Sequence, residues 1–282
     1  MKKSIFLAAY VAASGVAFAN TDTITYVREL DEVVINAPIA QVTNNHLELS
    51  QEQLNQSNTG QNLPFLLSST PALVATSDDG LGIGYTYFRI RGTDHTRINM
   101  TLNDVPLNDS ESQTVFWVNM TDMASSMSSL NVQRGVGTST NGSASFGASI
   151  NMQTGGLSGS EARSYVTVAF NGGMYNTFRE MVNTHIVLPG QWRANARFSK
   201  VNSDGFLYRT ASDLYSYYSD LGWYGDKTEV VARFFGGSEK TGMGWDGVDY
   251  NTAYGIDGAD RRYNPAGEYT TTAADGSDST AY

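Results

Sequence analysis

The segment WRANARFSK, Trp192 to Lys200, constrains the chain more than any other stretch of its length. Side chains alternate sides along a strand, so Trp192, Ala194, Ala196 and Phe198 share one face while Arg193, Asn195, Arg197 and Ser199 share the other. A strand of a soluble sandwich has the same period. Two arginines on one face favour a wet lumen over a dry core, because an unpaired charge is not buried, and apolar-out, polar-in alternation is what a membrane β-barrel strand requires. Neighbouring segments repeat the pattern. Ser164 to Phe170 aligns Val166, Val168 and Phe170; Phe178 to Leu188 ends in the tight turn Pro189-Gly190-Gln191; Leu214 to Tyr224 aligns Tyr215, Tyr217, Leu221 and Trp223; and Glu229 to Phe235 aligns Val230, Ala232 and Phe234. Short turns (189–191, 225–227) alternate with a longer loop, Asn202 to Asp213, as in outer-membrane barrels. Tyr217, Trp223 and Tyr224 suit an aromatic girdle.

Composition agrees. Sixteen tyrosines, 28 glycines and only 6 prolines suit antiparallel β-structure more than helix. There is no cysteine, which rules out a disulfide framework, zinc-thiolate and iron–sulfur sites, and cysteine nucleophiles. Lys+Arg number 18 against 28 Asp+Glu, a poor balance for phosphate contacts, so no nucleic-acid partner is expected.

The first residues read as an export signal. Lys2 and Lys3 precede the apolar run Ile5 to Ala13, and Ala17-Phe18-Ala19 offers an A-x-A cleavage site. The run is far short of the ~20 apolar residues that span a bilayer. Residues 1–19 are therefore expected to be removed, which takes away Lys2 and Lys3 and leaves 16 basic against 28 acidic residues, a net −12.

Residues 87–154 open YFRIRGTDHTRINMTLNDVPLND and close NVQRGVGTSTNGSASFGASINMQT. Glycines punctuate short β-type runs, and an arginine precedes a glycine at each end (Arg91-Gly92, Arg134-Gly135). The pieces IRG (Ile90 to Gly92), NDVPL (Asn103 to Leu107) and QRG-x6-GSASFGASINMQT, in this order, make the chain resemble the plug domain and first barrel strands of TonB-dependent outer-membrane receptors. The resemblance covers residues 27–160 well and 161–282 more loosely.

Helices are expected over His46–Asn58 and Leu63–Ser69, the second ended by Pro71. Strands are expected over Leu73–Thr76, Tyr87–Arg91, Ile98–Leu102, Leu130–Arg134 and Ser149–Gln153. The fold class is thus an α+β plug domain followed by antiparallel β-strands of an incomplete transmembrane β-barrel. The domain plan is a signal peptide (1–19), an N-terminal arm (20–45), a plug (46–158), and first barrel strands with an external loop (163–282). The boundary falls in GGLSGSEAR, Gly155 to Arg163. Five strands fall far below the ~22 of a plugged barrel, and the tail from Asp257 onward reads as loop, so the chain is expected to be part of a longer receptor.

The resemblance also implies roles. Leu30, Asp31, Glu32, Val33, Val34 and Ile35, within LDEVVINA (30–37), look like a TonB box, captured by TonB as an added strand; an ordinary first plug strand is the alternative. The apical loops Asp78–Tyr85, Thr93–Arg97 and Asn108–Phe116 would meet the ligand through Tyr85, His95, Arg97, Ser110, Glu111 and Phe116. Arg89, Arg91 and Arg134 would lock the plug to wall carboxylates, with Arg91 and Arg134 at the motif positions. The implied partners are TonB with its inner-membrane energising complex, outer-membrane lipid, and a scarce ligand, a ferric siderophore or other iron chelate ahead of cobalamin. The implied location is the cell outer membrane.

No cofactor and no metal site are assigned. His46, His95 and His185 are scattered, and Asp246, Asp249, Asp257 and Asp260 read as a solvated loop ahead of a calcium site. GSASFGAS is not a G-x-S-x-G elbow, and GIGYTYFRIRG fails the G-x-G-x-x-G spacing, so no enzyme is expected. Competing classes are a non-transporting plug-like periplasmic module and a small outer-membrane adhesin or porin.

Overall fold

The computed structural model describes residues 46–136, 145–155, 163–225, 227–273 and 275–281. The signal peptide and the TonB-box-like segment lie outside the described residues. The chain divides into Met1–Ile39 and Ala40–Tyr282, and all described residues belong to the second unit.

Strand β1 (His46–Ser50) opens it and pairs antiparallel with β7 (Met127–Arg134), Leu49 opposite Leu130. The helix expected from His46 therefore starts five residues later, as α1 (Gln51–Ser57). HLELS alternates, and pairing to β7 lets Leu47 and Leu49 pack against the core, a return that a polar helix turn would lack. Ser50 and Gln53 then form a capping box: Ser50 Oγ accepts from Gln53 N at 3.4 Å, and Gln53 Oε1 accepts from Ser50 N at 2.9 Å. Helix α2 (Leu63–Leu66) is shorter than expected but buries Leu63, Leu66 and the following Leu67.

Strands β2 (Leu73–Ser77), β3 (Thr86–Ile90) and β4 (Thr93–Asp94) make a small antiparallel sheet. β3 stops one residue before its expected end because Arg91 turns left-handed, at φ 52°. β5 (Ile98–Leu102), β6 (Val105–Pro106), β7 and β8 (Ala148–Thr154) complete the main plug sheet, in the order β1-β7-β8-β5-β6, with β5 and β8 parallel. Between β6 and β7 the chain makes two 3-10 turns, Trp117–Met120 and Met123–Ser126. Phe88, Ile90, Ile98, Met100, Met127, Leu130, Ile150 and Met152 are fully buried between these elements.

Five long antiparallel strands follow: β9 (Tyr165–Gly173), β10 (Thr177–Leu188), β11 (Trp192–Ser203), β12 (Ser212–Tyr224) and β13 (Glu229–Thr241). They form one meander in sequence order, the number and order that the alternation indicates. On β11 the burial alternates from Arg197 on, with Arg197, Ser199, Val201 and Ser203 buried and Ala196 and Phe198 exposed. The buried face lies against the plug. Tyr218 of β12, 1 % exposed, joins the plug's apolar core. After a one-turn helix α3 (Tyr250–Tyr254), the tail holds a hairpin, β14 (Tyr269–Thr272) with β15 (Asp278–Ala281), where the sequence reads as loop.

The core assignment makes a graded prediction. Ile150→Ala, inside the plug sheet, should cost about 2–5 kcal/mol in a denaturant titration. Val74→Ala on the exposed side of β2 should stay within about 0.5 kcal/mol.

Candidate plug–wall interface and ligand-facing loops

The seam between plug and wall is organised by one carboxylate. Asp122 sits between the two 3-10 turns in a left-handed conformation (φ 52°), and its side chain is fully buried. The turn 123–126 follows because Ser125 N donates to Asp122 O at 3.1 Å. Two wall arginines reach the carboxylate: Arg179 of β10, its Nε 3.0 Å from Oδ2, and Arg197 of β11, its Nη1 at 3.6 Å. The Ser199 hydroxyl donates to the same oxygen. The other oxygen accepts from Ser125 Oγ at 2.7 Å and from Asn58 Nδ2 at 2.8 Å.

The guanidiniums are satisfied in turn. Arg179 also donates to Ser125 Oγ (2.6 Å) and Asn171 Oδ1 (2.7 Å), and Arg197 to Ser126 Oγ (2.7 Å) and Ser216 Oγ (3.0 Å). Gly60, at φ +103°, leaves room for the stem of Arg179; a Cβ there would stand 3.0 Å from Arg179 Cδ. Burial pushes the Asp122 carboxyl upward, but Arg197, Arg179 and the hydroxyls of Ser199 and Ser125 outweigh it and hold the group below its ordinary value.

Three further contacts hold the same face. Ile83 and Val118 of the plug form a small apolar cluster with Val201 and Leu214 of the wall. Phe206 N, in the β11–β12 loop, donates to Asp79 O at 2.8 Å. Asn119, in the amide orientation that satisfies both its ends, donates to both carboxylate oxygens of Glu239 at 2.8 Å.

The residues expected at the ligand-facing loops are dispersed. Tyr85 is half-buried and packs on the Ile83 cluster, so the loop 78–85 is seated under the wall instead of standing open. Gly244 explains the closeness, since a Cβ there would be 2.5 Å from Asp78 O. His95 is half-buried with its ring 6.0 Å from that of Tyr87. Burial keeps its imidazole pKa below the ordinary histidine value; Asp94 opposes this and Arg89 adds to it. Arg97 is exposed, and its carbonyl accepts from Gly147 N at 3.0 Å. Ser110 and Glu111 are exposed in a turn closed by Asp109 Oδ1, which accepts from Glu111 N and Ser112 N at 3.0 and 2.8 Å. Phe116 is exposed just before the Trp117 turn.

Of the expected locking arginines, Arg89 is exposed on β3 opposite Asp94. Arg91 places its guanidinium beside Gly135. Arg134 donates from Nη1 to Pro71 O at 3.1 Å. At the Asp122 node the polarity is the other way round: the plug supplies the carboxylate and the wall supplies the arginines. Of these residues, the sequence singled out Arg197 alone, as lumen-facing; Asp122 and Arg179 were missed.

The outer face of the wall is apolar. Phe170, Val182, Ile186, Phe198, Leu221 and Phe234 are exposed, and Trp192 stands opposite Trp223 in register near one end. Further along, Lys200 lies 3.8 Å from Asp213 and 5.0 Å from the Tyr215 ring. Aromatic and charged rows bounding an apolar band are the girdles of a barrel wall. Among the described residues no helix is long and apolar enough to cross a membrane, which leaves strands untouched as a way across.

Comparison with known families supplies the decisive observation: residues 38–149 match the TonB-dependent Receptor Plug Domain model. The chain carries a TonB-dependent receptor plug domain. Its fold is that of such a receptor's plug with part of the wall. The copper transporter OprC shares it with a TM-score of 0.58 at 13% identity, over 71% of this chain and 32% of that one. The FrpB iron transporter of Neisseria meningitidis (F5-1 variant, apoprotein) gives 0.56 at 13%, over 70% and 32%. Pseudomonas aeruginosa FpvA in a heterologous ferric pyoverdine complex gives 0.54 at 15%, over 70% and 26%. The chain thus spans about a third or less of the length of these receptors and transporters. No curated protein matches it in sequence.

The buried node predicts both a mutational and a pH effect. Asp122→Asn leaves two guanidiniums facing an uncharged group and should cost about 3–5 kcal/mol, read as faster hydrogen exchange over 122–126. Because the folded carboxyl lies below its ordinary value of 3.8, its contribution is complete above that value. It is lost only as pH falls below it, so the protection factor at this seam, with the intrinsic pH dependence of amide exchange divided out, should be flat from neutral pH to about pH 5 and fall at lower pH.

Proposed function

We propose that this chain forms the plug and first wall strands of a TonB-dependent outer-membrane receptor for energy-coupled uptake of a scarce ligand. A ferric siderophore or other iron chelate is the ligand we favour, with cobalamin second. The observation that carries the reading is the Asp122 node: a plug carboxylate pairs with arginines on the inner face of strands whose outer face is apolar. That arrangement suits a plug seated in the polar lumen of a barrel wall, with the opposite face towards lipid. It disfavours a free periplasmic plug-like module, which would have no use for an apolar outer sheet face. It equally disfavours a plain porin or adhesin, which would leave the plug unexplained.

The remaining roles follow from this reading. Residues 1–19 direct export, and the mature chain starts at Asn20. Leu30, Asp31, Glu32, Val33, Val34 and Ile35 pair with TonB as an added strand. Tyr85, His95, Arg97, Ser110, Glu111 and Phe116 form the ligand-facing group. The half-buried His95 beside Tyr87 is its most structured part. Arg89, Arg91 and Arg134 lock further parts of the plug.

In a receptor carrying this chain, Val34→Pro should abolish uptake while ligand binding at the cell surface persists, because proline removes a main-chain donor from the added strand. Uptake of radiolabelled iron chelates and of cobalamin, measured beside binding on whole cells, checks both the TonB assignment and the ligand. Normal uptake in the proline variant would defeat the box.

A further inference from the structure

The hydrogen bonds of the Asp122 node close, but its charge does not. Two buried arginines, Arg179 and Arg197, face one buried aspartate, so a positive charge is left over away from water. Asp220 of β12 does not balance it, because it stands opposite Arg233 in register and accepts from the Tyr218 hydroxyl at 2.9 Å. A buried charge is costly unless it is paired. Arg179 also has donors to spare. Its Nε, Nη1 and Nη2 each give one hydrogen, to Asp122, Asn171 and Ser125, and a guanidinium carries a second N–H on each terminal nitrogen.

Beside this arginine lies a cavity of about 260 Å³ between α1 and the inner face of β9 and β10. Gln51 and Asn55, one turn apart on α1, line one side; Thr167 and Ala169 of β9 and Arg179 and Asn183 of β10 line the other. Among the described residues that line it, Arg179 alone is charged. Glu52, the acid of α1, is exposed and accepts from Gln56 Nε2 at 3.3 Å. Asn183 is 9 % exposed, and its Oδ1 is buried without a hydrogen-bond partner among the described residues. A buried acceptor left unpaired carries its full desolvation cost.

The cavity thus offers an uncompensated cation with spare N–H groups at one place and an unmet acceptor at another. Chloride or a carboxylate would satisfy the first and leave the second. A hydrogen-bearing oxyanion satisfies both: its bare oxygens accept from Arg179 and from the amides of Gln51 and Asn55, and its hydroxyl donates to Asn183. Size agrees. Pockets for organic ligands run to about 300–1,000 Å³ and a water claims about 30 Å³, so this volume suits one phosphate-sized ion with a few waters. We propose that the cavity is a binding site for a small protonated oxyanion, with the chemistry of hydrogen phosphate, held by Arg179 and Asn183. The site rests on the node and the cavity and not on the uptake reading.

The test uses the full chain in detergent micelles, at neutral pH in a buffer free of other oxyanions, with inorganic phosphate and sulfate as probes in calorimetric titrations. Phosphate keeps a hydrogen at this pH and sulfate has none. Phosphate should bind at a single site, at least about tenfold tighter than sulfate, because sulfate leaves the Asn183 acceptor unpaired. It should also raise the protection of amides 122–126. Asn183→Leu should bring phosphate down to the affinity of sulfate and leave sulfate unchanged. Ala169→Met, which fills the cavity without touching the node, should abolish both. Protection over 122–126 without added anion shows that each variant keeps the node. Sulfate bound as tightly as phosphate by the unaltered chain would mean that charge alone does the binding, and the proposal falls. It falls equally if phosphate neither titrates nor changes protection at 122–126, or if it binds Ala169→Met with unchanged affinity, which places it elsewhere.

Discussion

One buried carboxylate faces two buried guanidiniums, and much else in the structure answers to that imbalance. Taking ions out of water is costly unless each is paired and its remaining hydrogen-bonding capacity is met. Here Asp122 accepts from four groups, Asn58, Ser125, Arg179 and Ser199, and is ion-paired with Arg197 at 3.6 Å, while Arg179 and Arg197 spend their other donors on Asn171, Ser125, Ser126 and Ser216. The set is complete only when the turn after Trp117–Met120, the residue after α1, and strands β10 and β11 are all in place. The plug therefore has one preferred seating on the wall, set by hydrogen-bond geometry more than by apolar contact.

That seating makes strict demands on the strands. A slip of one residue would turn Arg197 outward and Phe198 inward, moving a charge onto the apolar outer face and an aromatic ring into the node. Alternation on β10, β11 and β12 is thus held from both sides, by the apolar band outside and by Asp122, Asp220 and the serines inside. Tyr218 marks the same constraint in another form: its ring enters the plug core while its hydroxyl donates to Asp220 Oδ2 at 2.9 Å. Wall and plug share a core, so neither surface was shaped alone.

The wall was legible because period-two patterning is local, and WRANARFSK shows it in nine residues. The plug was legible through glycine-punctuated motifs, whose turns need the left-handed conformations seen at Gly92 and Gly135. The node was not. Asp122 stands in TDMASS, with nothing nearby to announce a partner 57 or 75 positions along, and long-range charge pairing leaves no mark on periodicity. The acidic half of this node stayed hidden for the same reason: the arginines of the plug stood at recognisable motif positions, while Asp122 did not. His46–Ser50 looked helical because its polar residues suit either state, and only pairing with β7 decided it. The tail hairpin had a visible signal, Asp275-Gly276 between Thr- and Ser-bearing runs, hidden by its low hydrophobicity.

The same contacts grade the plug along its chain. β1 has no fully buried residue, and α1 contributes Leu54 alone. The next residue, Asn58, is 4 % exposed and donates to both Asp122 and Ser125, and Gly60 follows directly under Arg179. Local opening free energy tracks buried contacts and protected hydrogen bonds, so a step in stability falls between Ser57 and Asn58. Whatever loosens β1 and α1 first strips Leu47, Leu49 and Leu54 from the core beside Leu130 and then meets the charge node at Asn58. The residue order of the plug thus places its lightly held segment and its most tightly bonded group next to each other, with a single amide, Asn58 Nδ2, spanning the two.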